Sequence, residues 1–188
     1  MSFSPVSVAQ RPPLFVNCVN SSLQYQLRSN SAAAPLSLAW DTANRIHYMP
    51  IIIPKGCVLY RTYWLNGATV GTNNLQVGLY NNNDAGTDGP GTAFFRGTST
   101  LSAGTANLCQ FVDETDTYIP AGRYWLAGWC NGTTATVFRV AGITSNQFNR
   151  NALQYWETNA SGLPTTATPV AQSTPFWPIM GFTTIASP

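Results

Sequence analysis

Charge is what this sequence has least of. Nine basic and seven acidic side chains make up 9% of 188 residues, against about 25% in an average soluble domain. A single lysine, Lys55, stands beside eight arginines, and the net charge is +2. That field is too weak for duplex nucleic acid, whose binding needs many phosphate contacts. One histidine, His47, excludes histidine-rich metal centres. No run of 18 apolar residues occurs, so no membrane-crossing helix is predicted. The opening Met1-Ser2-Phe3-Ser4-Pro5-Val6 lacks the basic and apolar stretches of a secretory signal. Sequons at Asn20, Asn131 and Asn159 therefore have no secretory route to go with them. Four cysteines (Cys18, Cys57, Cys109, Cys130) include no CxxC pair; three lie in strand-like apolar runs and read as reduced, packed side chains. A sustained apolar period of 3.6 residues is missing as well, so helix should be minor.

What is present is apolar and neutral-polar. Hydrophobic residues are 44% of the chain, 23 of them aromatic, which supplies a core and excludes wholesale disorder. Solubility falls to 22 Thr, 16 Asn and 14 Ser. The length suits one domain. Residues 1–35 read as an extended N-terminal arm and loop: Pro12-Pro13 forbids helix and ladder alike, and Leu14, Phe15 and Val16 offer an apolar anchor. Residues 28–35 read as loop. Residues 36–188 read as a single β-domain.

Strand signals recur at Arg45–Ile53, Cys57–Leu65, Leu75–Tyr80, Ala93–Arg96, Leu108–Asp113, Arg123–Trp129 and Thr136–Val140. A looser pair follows at Leu153–Thr158 and Phe176–Thr184. The separators carry turn chemistry: Pro54-Lys55-Gly56, Pro120-Ala121-Gly122, and Asn66-Gly67 and Asn131-Gly132, which favour type I′ hairpins. So many short strands predict an all-β, antiparallel two-sheet β-sandwich, jelly-roll-like in its connections. Two strands lack a polar face. Along Arg123–Cys130, Tyr124, Leu126 and Cys130 oppose Trp125, Ala127 and Trp129; along Cys57–Leu65, Leu59, Tyr63 and Leu65 oppose Cys57, Tyr60 and Trp64. A solvated sheet alternates polar and apolar, so the second face needs a cover. Either the chain's own ends (1–35 or 145–188) or other subunits must supply it. The subunit reading makes Leu14, Phe15, Trp64, Trp125 and Trp129 the interface.

Catalytic chemistry has little to work with. A Ser-His-Asp triad would have to use His47, and no Gly-x-Ser-x-Gly elbow occurs. Asp113, Glu114, Asp116 and Glu157 are the carboxylates a glycosidase would need, but Asp113-Glu114-Thr115-Asp116 reads as a solvated hairpin end. The 81–89 loop offers oxygen ligands for calcium at Asn82, Asp84 and Asp88, without the EF-hand's closing Glu. Gly86-Thr87-Asp88-Gly89-Pro90-Gly91 lacks the lysine of a P-loop. Among the tryptophans, Trp156 and Trp177 are candidate sugar-stacking platforms.

Three stretches form a pattern: Leu75-Gln76-Val77-Gly78-Leu79-Tyr80, the loop to Gly89-Pro90-Gly91, and Ile119-Pro120-Ala121-Gly122-Arg123-Tyr124-Trp125-Leu126-Ala127. Over residues 45–142 this resembles jelly-roll modules of tailed-bacteriophage virions: capsid decoration proteins, head fibres and tail receptor-binding tips. It is also similar to some carbohydrate-binding modules of the same fold. The resemblance implies a non-enzymatic virion protein without cofactor, assembled in the host cytoplasm, oligomeric and often trimeric. Its partners would be copies of itself and other virion proteins such as the major capsid protein. The alternative it implies is a glycan- or receptor-binding tip. No functional residue carries over.

Overall fold

The computed structural model describes residues 14–17, 35–83, 88–140, 154–172 and 176–185, with the backbone alone at 14–17, 140 and 185. Strands account for most of them, and no α-helix occurs among them. In the first half run β1 (Leu14–Asn17), β2 (Pro35–Ala39), β3 (Arg45–Ile53), β4 (Cys57–Leu65), β5 (Asn74–Asn82), β6 (Pro90–Arg96) and β7 (Thr100–Leu101). Then come β8 (Cys109–Ile119), β9 (Gly122–Cys130), β10 (Thr136–Val140), β11 (Tyr155–Thr158), β12 (Val170–Ala171), β13 (Trp177–Pro178) and β14 (Met180–Ile185).

The chain is all-β, and every pairing is antiparallel. The largest sheet has the order β12-β11-β3-β9-β5-β6, with β7 beside β5; a second has β1-β14-β4-β8; a third, β13-β10-β2. Ile179 joins the two smaller sheets, donating to Phe138 O (2.8 Å) and accepting from Leu65 N (2.9 Å). β3, β5 and β9 each lie across from the strand before or after them in the chain, and the first and last strands lie side by side.

Between the layers sits the core. Met49, Ile51, Ile53, Val77, Leu79 and Leu126 from the large sheet meet Leu59, Trp64, Met180 and Phe182 from the other layer. The glycines mark where the layers come closest. A Cβ on Gly128 of β9 would stand 2.2 Å from Met180 Sδ.

The turns differ from expectation. Asn66-Gly67 and Asn131-Gly132 are not hairpins: each hands the chain from one sheet to another, β4 to β5 and β9 to β10. Neither glycine has a positive φ; among the described residues those that do are Gly71 (φ 89°) and Gly162 (φ 94°). Both tight glycines are explained by contact. A Cβ on Gly67 would strike Thr136 Oγ1 at 2.3 Å, and one on Gly132 would strike Asn73 Nδ2 at 2.1 Å. The acidic run is not a hairpin end either. Asp113–Asp116 lies inside β8, where the ladder to β4 shifts register between Leu59 and Arg61. That irregularity breaks the alternation of β4, so Thr62 is buried in mid-strand. Asp113 pairs with Arg61, while Glu114 accepts from Thr62 Oγ1 (2.7 Å) and Thr98 N (3.0 Å).

The segment expected as an arm contributes β1, whose backbone pairs along β14 from Leu14↔Thr184 to Asn17↔Gly181. The rest of residues 1–34 lies outside the described residues, and Pro35 opens β2. No disulfide links Cys57, Cys109 and Cys130; Cys18 lies outside the described residues.

Candidate functional site

The outer face of the large sheet is covered by the chain itself. Ile46 and Tyr48 (β3), Tyr80 (β5), and Trp125, Ala127 and Trp129 (β9) form a second buried cluster, closed by Leu163 and packed by Tyr155 and Ala167. Residues 159–168 cross this face as a strap. Asn159 O accepts from Trp129 Nε1 (2.8 Å), Leu163 N donates to Gln76 Oε1 (2.9 Å), and Pro164 O accepts from Tyr80 Oη (2.5 Å). Ala93 N donates to Thr165 O (2.8 Å), and Ala167 N to Gly91 O (3.0 Å). Gly162 needs its positive φ and lack of Cβ here, since a side chain would meet Gln76 Oε1 at 2.5 Å. The strap is pinned by Glu157, a buried carboxylate that accepts from Tyr48 Oη, Thr168 N (2.9 Å) and Thr168 Oγ1 (2.7 Å). Burial, reinforced by Tyr80 and Glu157, pushes the Tyr48 hydroxyl far above the ordinary tyrosine range, so it stays a donor.

This overturns the interface expectation for three residues. Trp64 and Trp125 are fully buried and Trp129 is 4% exposed, all inside the chain's own core. The second face of β9 has its cover in residues 155–168, so it needs no neighbour. Leu14 and Phe15 lie in β1, where the backbone alone is described. The sugar platforms fare similarly. Trp177 is 3% exposed and part of the core. Trp156 is half-buried, and the Arg45 guanidinium lies 4.3 Å from its ring centroid, occupying one face.

His47 is sealed. Its Nε2 donates to Asp41 Oδ1 (2.9 Å), and its Nδ1 lies 3.1 Å from the Gln172 side-chain amide. The ring is fully buried, stacked on Phe176 at 4.0 Å and edged by Trp40. Among the described residues no hydroxyl or thiol nucleophile bonds the ring. Burial raises the Asp41 carboxyl, but His47 and Arg45 outweigh it and hold the pKa below the ordinary value. The dyad therefore ties β3 to the chain before it and to the residue after β12.

Of the calcium candidates, Asn82 Oδ1 accepts from Trp125 Nε1 (2.8 Å), and Asp88 Oδ2 bridges Arg123 Nη2 (2.6 Å). Asp84 lies outside the described residues. No group of three metal-ligating side chains occurs among those described. The loop contributes something else. Asn82 and Asp88 line a cleft of about 590 Å³ together with Asn81, Thr92, Tyr155 and Thr166. The cleft opens where the β5–β6 ladder gives out. Its register slips between Tyr80 and Asn82, and Pro90 has no N–H to donate. Thr92 pairs instead with Thr166 of the strap.

No family model, no curated protein and no solved structure matches the chain. The cleft is a feature of this surface that the sequence reading missed. Asn81–Asn83 signals only a polar loop. Tyr155 and Thr166 reach it through the path of the strap, which leaves no periodicity to read.

Proposed function

We propose that this chain is a non-enzymatic structural protein of a tailed-bacteriophage virion, a jelly-roll module that decorates and stabilises the particle as a homo-oligomer. The interleaving of the two main sheets, β1-β14-β4-β8 and β3-β9-β5-β6, supports the jelly-roll reading. The observation that carries the assembly role is β8. This 11-residue strand has no neighbour on its far side among the described residues, yet it displays Phe111 (43% exposed) and Tyr118 (57%), with Leu108 (57%) just before it. A free edge of this kind is an association hazard in a monomer, and large apolar groups on a charge-poor surface suit a contact. The occupant is another copy of this chain, with the major capsid protein beneath the oligomer.

Sedimentation of the full chain tests this. The expected result is a discrete oligomer that Phe111→Glu converts to monomer with its circular dichroism intact. A wild-type monomer at micromolar concentration, absent from purified particles imaged for its density, overturns it. Deleting residues 1–13, which keeps β1, should abolish particle attachment and leave the domain folded; full attachment without them removes the arm from the reading.

A further inference from the structure

The cleft at the β5–β6 end of the large sheet has no part in the assembly role. We propose that it binds a neutral saccharide. Its volume of about 590 Å³ lies within the range of small-molecule sites, about 300–1,000 Å³.

The lining selects the ligand class. Asn81 donates its amide to Thr92 O (3.3 Å) and keeps the side-chain carbonyl as an acceptor. Thr92 and Thr166 are exposed and face each other across the bridge between β6 and the strap, each offering a hydroxyl that donates and accepts. Asp88, the carboxylate among the described lining residues, is already bridged to Arg123. Among the described lining residues a free anion or cation finds no unmatched charge. Tyr155 and Pro169, both half-buried, add apolar surface, and amides and hydroxyls beside apolar rings match a sugar's alternating O–H and C–H faces.

The walls are held in place before any ligand arrives, which limits the ordering cost of binding. Tyr155 donates to Asp88 O (2.6 Å), and its ring meets Trp125 edge-on at 5.3 Å. Asn83 N donates to Gly89 O (2.7 Å) and Ala167 N to Gly91 O (3.0 Å). Two glycines border the space, with room for a Cβ but for little more. A Cβ on Gly89 would sit 3.5 Å from the Tyr155 ring, and one on Gly91 3.4 Å from Asn81 O. Neither has a positive φ, so a larger side chain fits the backbone but fills the room.

The test uses the full chain on an array of neutral and acidic glycans. In parallel, glucose, galactose, mannose and N-acetylglucosamine are titrated to tens of millimolar while the Trp125 indole N–H and the Asn81–Thr92 amides are followed by NMR. Saturable shifts confined to this end of the sheet are expected, with array signal on neutral glycans. Gly91→Leu and Asn81→Ala should each weaken binding at least about tenfold, equivalent to about 1.4 kcal/mol, with unchanged melting temperature, and Leu108→Ser should not. Silence on both platforms overturns the proposal. So does a response limited to acidic glycans or to calcium chloride, or binding untouched by both cleft variants. None of these outcomes bears on sedimentation or particle attachment, so the two proposals fail separately.

Discussion

Gly128 and Met180 offer the sharpest test of how the layers are packed. A Cβ on Gly128 would stand 2.2 Å from Met180 Sδ and 2.6 Å from Cε, with Trp40 Cη2 next at 3.3 Å. Met180 is fully buried and Trp40 nearly so, so the thioether has little room to yield. Gly128→Ala should therefore destabilise by about 1–3 kcal/mol through overpacking. Met180→Ala should cost about 2–5 kcal/mol through lost burial and the cavity left behind. Each change removes the reason for the other's penalty: the new methyl enters the space the thioether vacates. The double variant should therefore be more stable than the sum predicts by at least about 1 kcal/mol. Urea unfolding of the four proteins measures this directly. Thermal scans should agree, at about 2–4 °C per kcal/mol for a chain of this size. Additivity within about 0.5 kcal/mol would refute the close approach of β9 and β14, and with it the sandwich geometry drawn here.

Three further outcomes follow from the buried polar groups. Tyr48→Phe strips one donor from the buried Glu157 carboxylate and should cost about 1.5–3 kcal/mol in urea; protease cleavage within 159–168 should accelerate, and unchanged cleavage would separate the strap from this bond. Asp41 has a folded pKa below its unfolded one. Its stabilisation is therefore present above the unfolded value, about 3.9, and is lost as pH falls through the folded value. Asp41→Asn should flatten the acid limb of the stability curve, and an unaltered limb would show that the His47 pairing does not matter to it. The Cys130 thiol is buried and its pKa pushed up to about 11, so a thiol reagent at neutral pH should label exposed Cys109 first and reach Cys130 only on unfolding; equal rates in the native protein would contradict that burial.

Alternation of side chains made most of the sheet legible beforehand. The bounds of β3, β4 and β10 agree with the apolar runs Arg45–Ile53, Cys57–Leu65 and Thr136–Val140, because those segments have strong signals and Pro or Gly at their margins. β7 and β12 have two residues each and carry no period at all. Residues 176–184 read as one strand, but the chain is shared between two sheets, so Ile179 breaks it into β13 and β14. The turn dipeptides misled for a physical reason. Asn-Gly is compatible with a hairpin, but Asn66 is claimed by the core: it is fully buried and accepts from Trp64 Nε1 (2.9 Å) and Ser102 Oγ (3.1 Å). A local preference worth tenths of a kcal/mol yields to a buried amide whose desolvation costs about 1–3 kcal/mol if unpaired. The doubly apolar face of β9 was visible in the sequence, and 145–188 was one of the covers it allowed; which residues of that stretch would pack there was not visible. Leu163 and Ala167 come from a stretch of Pro, Thr and Gly that has no strand pattern, and they bond the sheet through backbone groups that any residue could supply.

That cover moves the burden of contact elsewhere. With Trp125 and Trp129 sealed by the strap, a partner on that face would meet Thr, Pro and Asn backbone and not aromatic rings. The outward apolar groups of β8 belong to the other layer, on the sheet ordered β1-β14-β4-β8. The cleft lies between the strap and the β5–β6 margin of the large sheet. Docking through β8 therefore uses residues that line no part of the saccharide cleft. Sugar affinity should be the same for the free protein and for the oligomer, whereas an affinity that falls on assembly would mean that the two surfaces overlap and that one of them is wrongly placed.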